Sequence, residues 1–165
     1  MIHTTTPPTR ATARRLLFAP LLLTAVAAGG CGQGNVKELQ APRQGLKVSG
    51  LAVVQEPAAA VVPAADSSVF RQRLTASLRD AGFEVGSGMT LSYRFVEYTA
   101  VNRNGGLLAG VGVGRGTATV EVTYTREGET VAVTRVTGNV GDERADDLGG
   151  IAKRIADYTR RNFKQ

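Results

Sequence analysis

A chain of 165 residues with a formal charge of +6 looks strongly basic, but Arg10, Arg14 and Arg15 fall within the first 30 residues, which hold no acid. Beyond them lie roughly 135 residues, enough for one domain, with an excess of only about +3, too modest for the clustered basic face of a nucleic-acid partner. The only histidine, His3, lies in the same 30 residues and the only cysteine is Cys31, so the remainder excludes zinc sites, Cys–His and Ser–His–Asp catalysis and structural disulfides on inventory alone.

Three arginines, an apolar run from Leu16 to Ala28 and small residues up to Cys31 follow the layout of a secretory signal peptide over residues 1–30. The run is shorter than the roughly 20 residues a membrane span needs, and Pro20 interrupts it. The ending Ala28-Gly29-Gly30-Cys31 resembles the lipobox of bacterial lipoproteins. That resemblance implies cleavage before Cys31 and acylation of its thiol, so covalent lipid such as palmitate is expected on Cys31, and no other cofactor. Each buried methylene contributes about 0.8 kcal/mol, so several chains give a durable membrane anchor. Gly32 rather than an aspartate follows the cysteine. By the same resemblance, this points to the outer membrane, with the domain facing the periplasm.

Residues 32–45 are polar and rich in Gly and Gln, and they read as a flexible tether after the lipidated Cys31, with a reach of about 50 Å. A domain over residues 46–165 follows. Leu46 to Val54 predicts a first strand, alternating at first and then continuously apolar, as in a strand buried on both faces. The two prolines of residues 56–65 predict a loop. Asp66 is placed to cap a helix running to about Ala81, with Phe70, Leu74 and Leu78 as its buried stripe and Gly82 as its left-handed stop. Phe83 to Val85 and Met89 to Tyr98 predict the next extended region. Thr117 to Thr125 alternates cleanly, and Glu127-Gly128 turns it back into Thr130 to Gly138. Acids from Asp142 to Asp147 then precede a closing helix with Leu148, Ile151, Ala152, Ile155 and Phe163 on its apolar stripe and bases in its later turns, the arrangement the helix dipole favours. The order strand, helix, strands, helix predicts an α+β fold: an antiparallel sheet of about four to five strands with two helices packed on one face.

Gly110, Gly112, Gly114 and Gly116 alternate, with Arg115 between the last two. No phosphate-binding pattern fits them. In an extended segment all four glycines share one face, which suits close backbone packing or a sharp bend, and as a second reading a partner-docking face. The acids Asp142, Glu143, Asp146 and Asp147 lack calcium-loop spacing and are explained by a helix start, so no metal is expected. The bases of the last helix read as a solvated face, with lipid headgroups or an anionic envelope polymer as the alternative. Glu97, Glu121 and Glu129 show no spacing that makes them an acid/base pair.

The helix ending Leu78-Arg-Asp-Ala-Gly-Phe83, the strand Leu91-Ser-Tyr-Arg-Phe95 and the stretch Gly112-Val-Gly-Arg-Gly116 leading into Ala118 to Tyr124 resemble a family of short proteobacterial outer-membrane lipoproteins of unknown function. The hairpin at Gly128 and the helix with Ile151, Ala152 and Ile155 extend the resemblance over the whole domain. It implies a fold similar to the small α+β domains of the curli-secretion lipoprotein and of the Tol-system periplasmic protein. Those are binding and assembly domains. The function expected is therefore a lipid-anchored, non-enzymatic binding or assembly module of the cell envelope with an envelope protein as partner. The alternatives are an activator of a cell-wall enzyme and a small-ligand or lipid carrier.

Overall fold

The alternation of Ala118, Val120, Val122 and Tyr124 with Thr117, Thr119, Glu121 and Thr123 builds the strand at the centre of the sheet. The computed structural model describes residues 34–99, 116–140 and 147–164, all within one unit spanning Gly32–Gln165. In it the strands are β1 (Gly34–Gln40), β2 (Gly50–Gln55), β3 (Glu84–Val85), β4 (Met89–Thr99), β5 (Gly116–Arg126) and β6 (Glu129–Val140). β5 pairs antiparallel with β4 on one side and β6 on the other. The turn between β5 and β6 holds Glu127 at φ 54° and Gly128 at φ 83°, the left-handed pair that a two-residue hairpin requires.

The whole sheet has six strands in the order β1-β6-β5-β4-β2-β3 and is mixed, because β2 runs parallel to both β3 and β4. This corrects the expected antiparallel sheet of four to five strands, for two physical reasons. Helix α1 (Ala64–Asp80) lies between β2 and the strands that follow it, and a helical crossover returns the chain to the end it left, so the next strands run parallel. Residues expected within the tether also form β1, antiparallel to β6. Only Val36 of β1 packs against the core, while Lys37 and Glu38 stay exposed. Such an edge strand carries no alternating pattern for sequence to reveal.

In α1 the stripe Phe70, Leu74 and Leu78 is fully buried. The helix stops at Gly82 (φ 88°). Phe83 N–H donates to the Leu78 carbonyl at 3.0 Å and Gly82 N–H to that of Arg79 at 2.8 Å, the paired closure of a Schellman motif. Asp66 is not the cap. Pro63 is the N-cap, its ψ of 138° outside helical space, and the helix starts at Ala64, so Asp66 falls in the first turn, where its carboxylate accepts a hydrogen bond from the Tyr98 hydroxyl.

Helix α2 (Asp147–Phe163) buries Leu148, Ile151, Ala152, Ile155 and Phe163. Both helices cover the same sheet face. Phe70 of α1 meets Tyr93 and Phe95 edge-on, with ring centroids 5.2 and 5.0 Å apart, and Tyr124 packs on Tyr158 and Phe163 of α2 at 5.9 and 4.9 Å. Each such pair adds about 0.5–1.5 kcal/mol beyond its buried area. The opposite face has no described helix over it and is rich in threonine. That is why Val54, expected inside a strand buried on both faces, is 44% exposed.

Candidate functional site

Strand direction sorts the charged residues of the domain by end. β1 and β5 run one way and β6, β4, β2 and β3 the other. The β5–β6 turn, the start of β2 and the start of β4 therefore share one end. Both helices finish there too. Val48 N–H, just before β2, donates to the Phe163 carbonyl at 2.8 Å, and the Lys164 ammonium donates to the Gly82 carbonyl while lying 5.3 Å from the centre of the Phe83 ring. The last turn of α2 is thus clasped to the end of α1.

Arginines suit these last turns because they offset the negative end of each helix dipole. With both helices pointing the same way, the requirement is met twice at one place. Arg79 of α1, Arg160 and Arg161 of α2 and Lys47 all lie on this end, and all four are at the surface. Two more cations here are matched, Arg43 to Glu129 at 3.2 Å and Arg126 to Glu127 at 3.3 Å. Among the described residues, no ion pair engages Lys47, Arg79, Arg160 or Arg161. Beside them a hollow of about 500 Å³ runs between the helices, lined by the small residues Ala76, Gly150 and Ala156 and by the charged Arg73, Asp80 and Arg160.

The sheet face with no described helix over it carries its own charge arrangement. Arg94, Glu121 and Arg135 stand side by side on β4, β5 and β6, with Lys37 of β1 next in the row. Arg94 donates through Nε and Nη2 to one Glu121 oxygen at 3.0 and 2.5 Å, and Arg135 Nε donates to the other at 2.8 Å. Burial works to raise the Glu121 pKa, but the hydrogen bonds and charges of Arg135 and Arg94 outweigh it and hold the carboxyl below its ordinary range. Both oxygens are occupied, so this carboxylate is a structural anion. Glu97 accepts from Thr119 at 3.0 Å. At the opposite end from the basic cluster, burial, then the hydrogen bond to Asp66 and its charge, push the Tyr98 pKa up.

Cys31, Gly110, Gly112, Gly114 and Arg115 lie outside the described residues, as do Asp142, Glu143 and Asp146. Gly116 opens β5, where it is buried and pairs with Val140. Glu97, Glu121 and Glu129 are separated, each with its own partner. Among the described residues no three His, Cys, Asp or Glu side chains are placed to hold a metal ion, and no helix is long and apolar enough to cross a membrane. That the bases of both helix ends share one end of the domain was not foreseen from the sequence. The bases of α2 were visible, but that Arg79 joins them follows only from the parallel course of the two helices.

This six-stranded mixed sheet with two helices on one face is a fold already seen in solved structures. The PelC dodecamer from Paraburkholderia phytofirmans matches with a TM-score of 0.53 at 18% identity, over 80% of this chain and 99% of that one. A point variant of the same protein, also a dodecamer, matches with a TM-score of 0.54 at 20% identity over the same shares. At these identities the likeness establishes the fold. A minor lipoprotein from Acinetobacter baumannii aligns over 68% of this chain and 90% of that one at 16% identity, with a TM-score of 0.36, too low to support an argument. No protein-family profile and no curated protein sequence matches the chain.

Proposed function

We propose that this protein is a lipid-anchored bacterial envelope lipoprotein acting as a non-enzymatic binding and assembly module, held through Cys31 at the outer membrane and facing the periplasm. The observation that carries the reading is that Lys47, Arg79, Arg160 and Arg161, from three separate segments and without ion-pair partners among the described residues, all lie on one end of the domain. Such an end recognises charge on a surface or polymer. The arginine-led apolar run ending at Cys31 supports the anchor. The shared fold with a protein solved as a dodecamer supports assembly, with further copies of this chain as its first partners.

The test is the intact mass and the size of the protein extracted from membranes, beside a Cys31→Ala variant. The expected mass is that of residues 31–165 plus acyl chains, with the variant unprocessed, and light scattering should show an oligomer. An unacylated, soluble monomer would sink both the anchor and the assembly reading.

A further inference from the structure

The chain enters the sheet at the end opposite the basic cluster. β1 begins at Gly34, opposite Gly138, at the end where β4 finishes with Thr99 and β5 starts with Gly116. Glu56, Asp66 and Glu97 gather there. β5 has 11 residues between Gly116 and the basic end, a length of about 35 Å. Cys31 precedes Gly34 by three residues, a covalent reach of about 11 Å at most. If Cys31 carries the anchor, the membrane lies at the acidic end, and the cationic end stands well clear of it. This orientation rests on the function proposed above.

We propose that the cationic end bearing Lys47, Arg79, Arg160 and Arg161 docks on the carboxylate-bearing glycan–peptide wall that lies beyond the membrane in a bacterial envelope. Charge complementarity argues for a polyanion. The distance from the anchor argues against the lipid headgroups of the same membrane. The composition of the end argues against a protein partner. Protein interfaces are built around buried apolar anchors, and among the described residues the large exposed apolar side chains, Leu39, Val54, Val61 and Val69, all lie outside the C-terminal turns of α1 and α2. A repeating carboxylate lattice needs only unpaired cations on a firm base, and the Val48–Phe163 and Lys164–Gly82 hydrogen bonds supply that base.

The experiment is sedimentation of the full-length, detergent-extracted protein with isolated wall sacculi, at low and raised salt, beside flotation on vesicles rich in anionic phospholipid. The wild type should sediment with the wall, more weakly as salt rises. The double variant Arg160→Glu, Arg161→Glu should lose at least tenfold in affinity, whereas Arg160→Lys with Arg161→Lys should retain it. Lys37→Glu, on the sheet face, should bind as the wild type does. If the double reversal fails to fold by circular dichroism, Arg79→Glu and Lys47→Glu take its place. Failure of the wild type to sediment, equal binding by the reversal variants, or binding to vesicles in place of the wall would overturn the proposal. A chain that sediments but carries no lipid on Cys31 would overturn the anchor and leave wall binding supported.

Discussion

Gly138 of β6 lies directly beneath Ile151 of α2, so close that a Cβ built on the glycine would stand 2.6 Å from Ile151 Cγ1 and 3.2 Å from Arg154 Nη1. The contact sets how closely α2 approaches the sheet. Gly138→Ala should force the helix outward and destabilise the domain by about 1–3 kcal/mol, the usual cost of overpacking a filled core. A urea midpoint equal to that of the wild type would show that α2 does not rest on this strand.

Glu121 should make stability depend on acid. Its pKa is depressed in the folded protein, so its contribution is present above the ordinary unfolded value of about 4.5 and is lost as pH falls through the lower folded value. Glu121→Gln should cost about 1–2 kcal/mol near neutral pH, moderated because Arg94 and Arg135 are each nearly half exposed. The gap between variant and wild type should narrow progressively as pH falls below about 4.5. Denaturant midpoints taken at several pH values measure it directly, and a gap constant down to about pH 3 would contradict the clamp.

Two buried tyrosines should respond differently to loss of the hydroxyl. Tyr124 is bonded to Thr159 at 2.9 Å, and Thr159 also donates to the Ile155 carbonyl at 2.7 Å. The Tyr158 hydroxyl is buried and meets no acceptor in full hydrogen-bond geometry; burial first, then the charge of the nearby Glu38 carboxylate and a loose hydrogen bond to it, push its pKa up. Tyr124→Phe should therefore cost about 1 kcal/mol, while Tyr158→Phe should be neutral or mildly stabilising. Thermal melts of the two variants side by side decide the matter.

β1 predicts a pattern in hydrogen exchange. A free tether exchanges its amides at unprotected rates. A strand paired from Gly34↔Gly138 to Gln40↔Val133 protects the amides that face β6. Protection at alternate positions between residues 35 and 40 is expected, and uniform fast exchange there would remove β1 from the sheet.

Much of the core was legible in the sequence. Tyr124 and its alternating neighbours marked β5, Gly128 marked the hairpin, and Phe70, Leu74 and Leu78 marked the buried face of α1, because in each case one side chain out of two, or one face of a helix, had to leave water. β1 was illegible because an edge strand bearing Lys37 and Glu38 buries almost nothing. The parallel pairing of β2 with β4 had a signal that went unused: a 17-residue helix between two strands is long enough for a crossover. Val54 was expected inside because the sequence does not show that its face of the sheet has no described helix over it. At the candidate site the bases were readable one by one, but their meeting depends on helix direction, which no local pattern contains.

The pairing of β1 with β6 joins residues roughly 100 positions apart, whereas β4, β5 and β6 each pair with a near neighbour in the chain. The segment that leaves the ribosome early is therefore the one that must wait. Until β6 exists, β1 has nothing to pair with, and until β1 arrives, β6 presents a bare hydrogen-bonding edge. Val36→Ala should accordingly hasten unfolding and leave the refolding rate nearly unchanged, the signature of a contact made after the rate-limiting step.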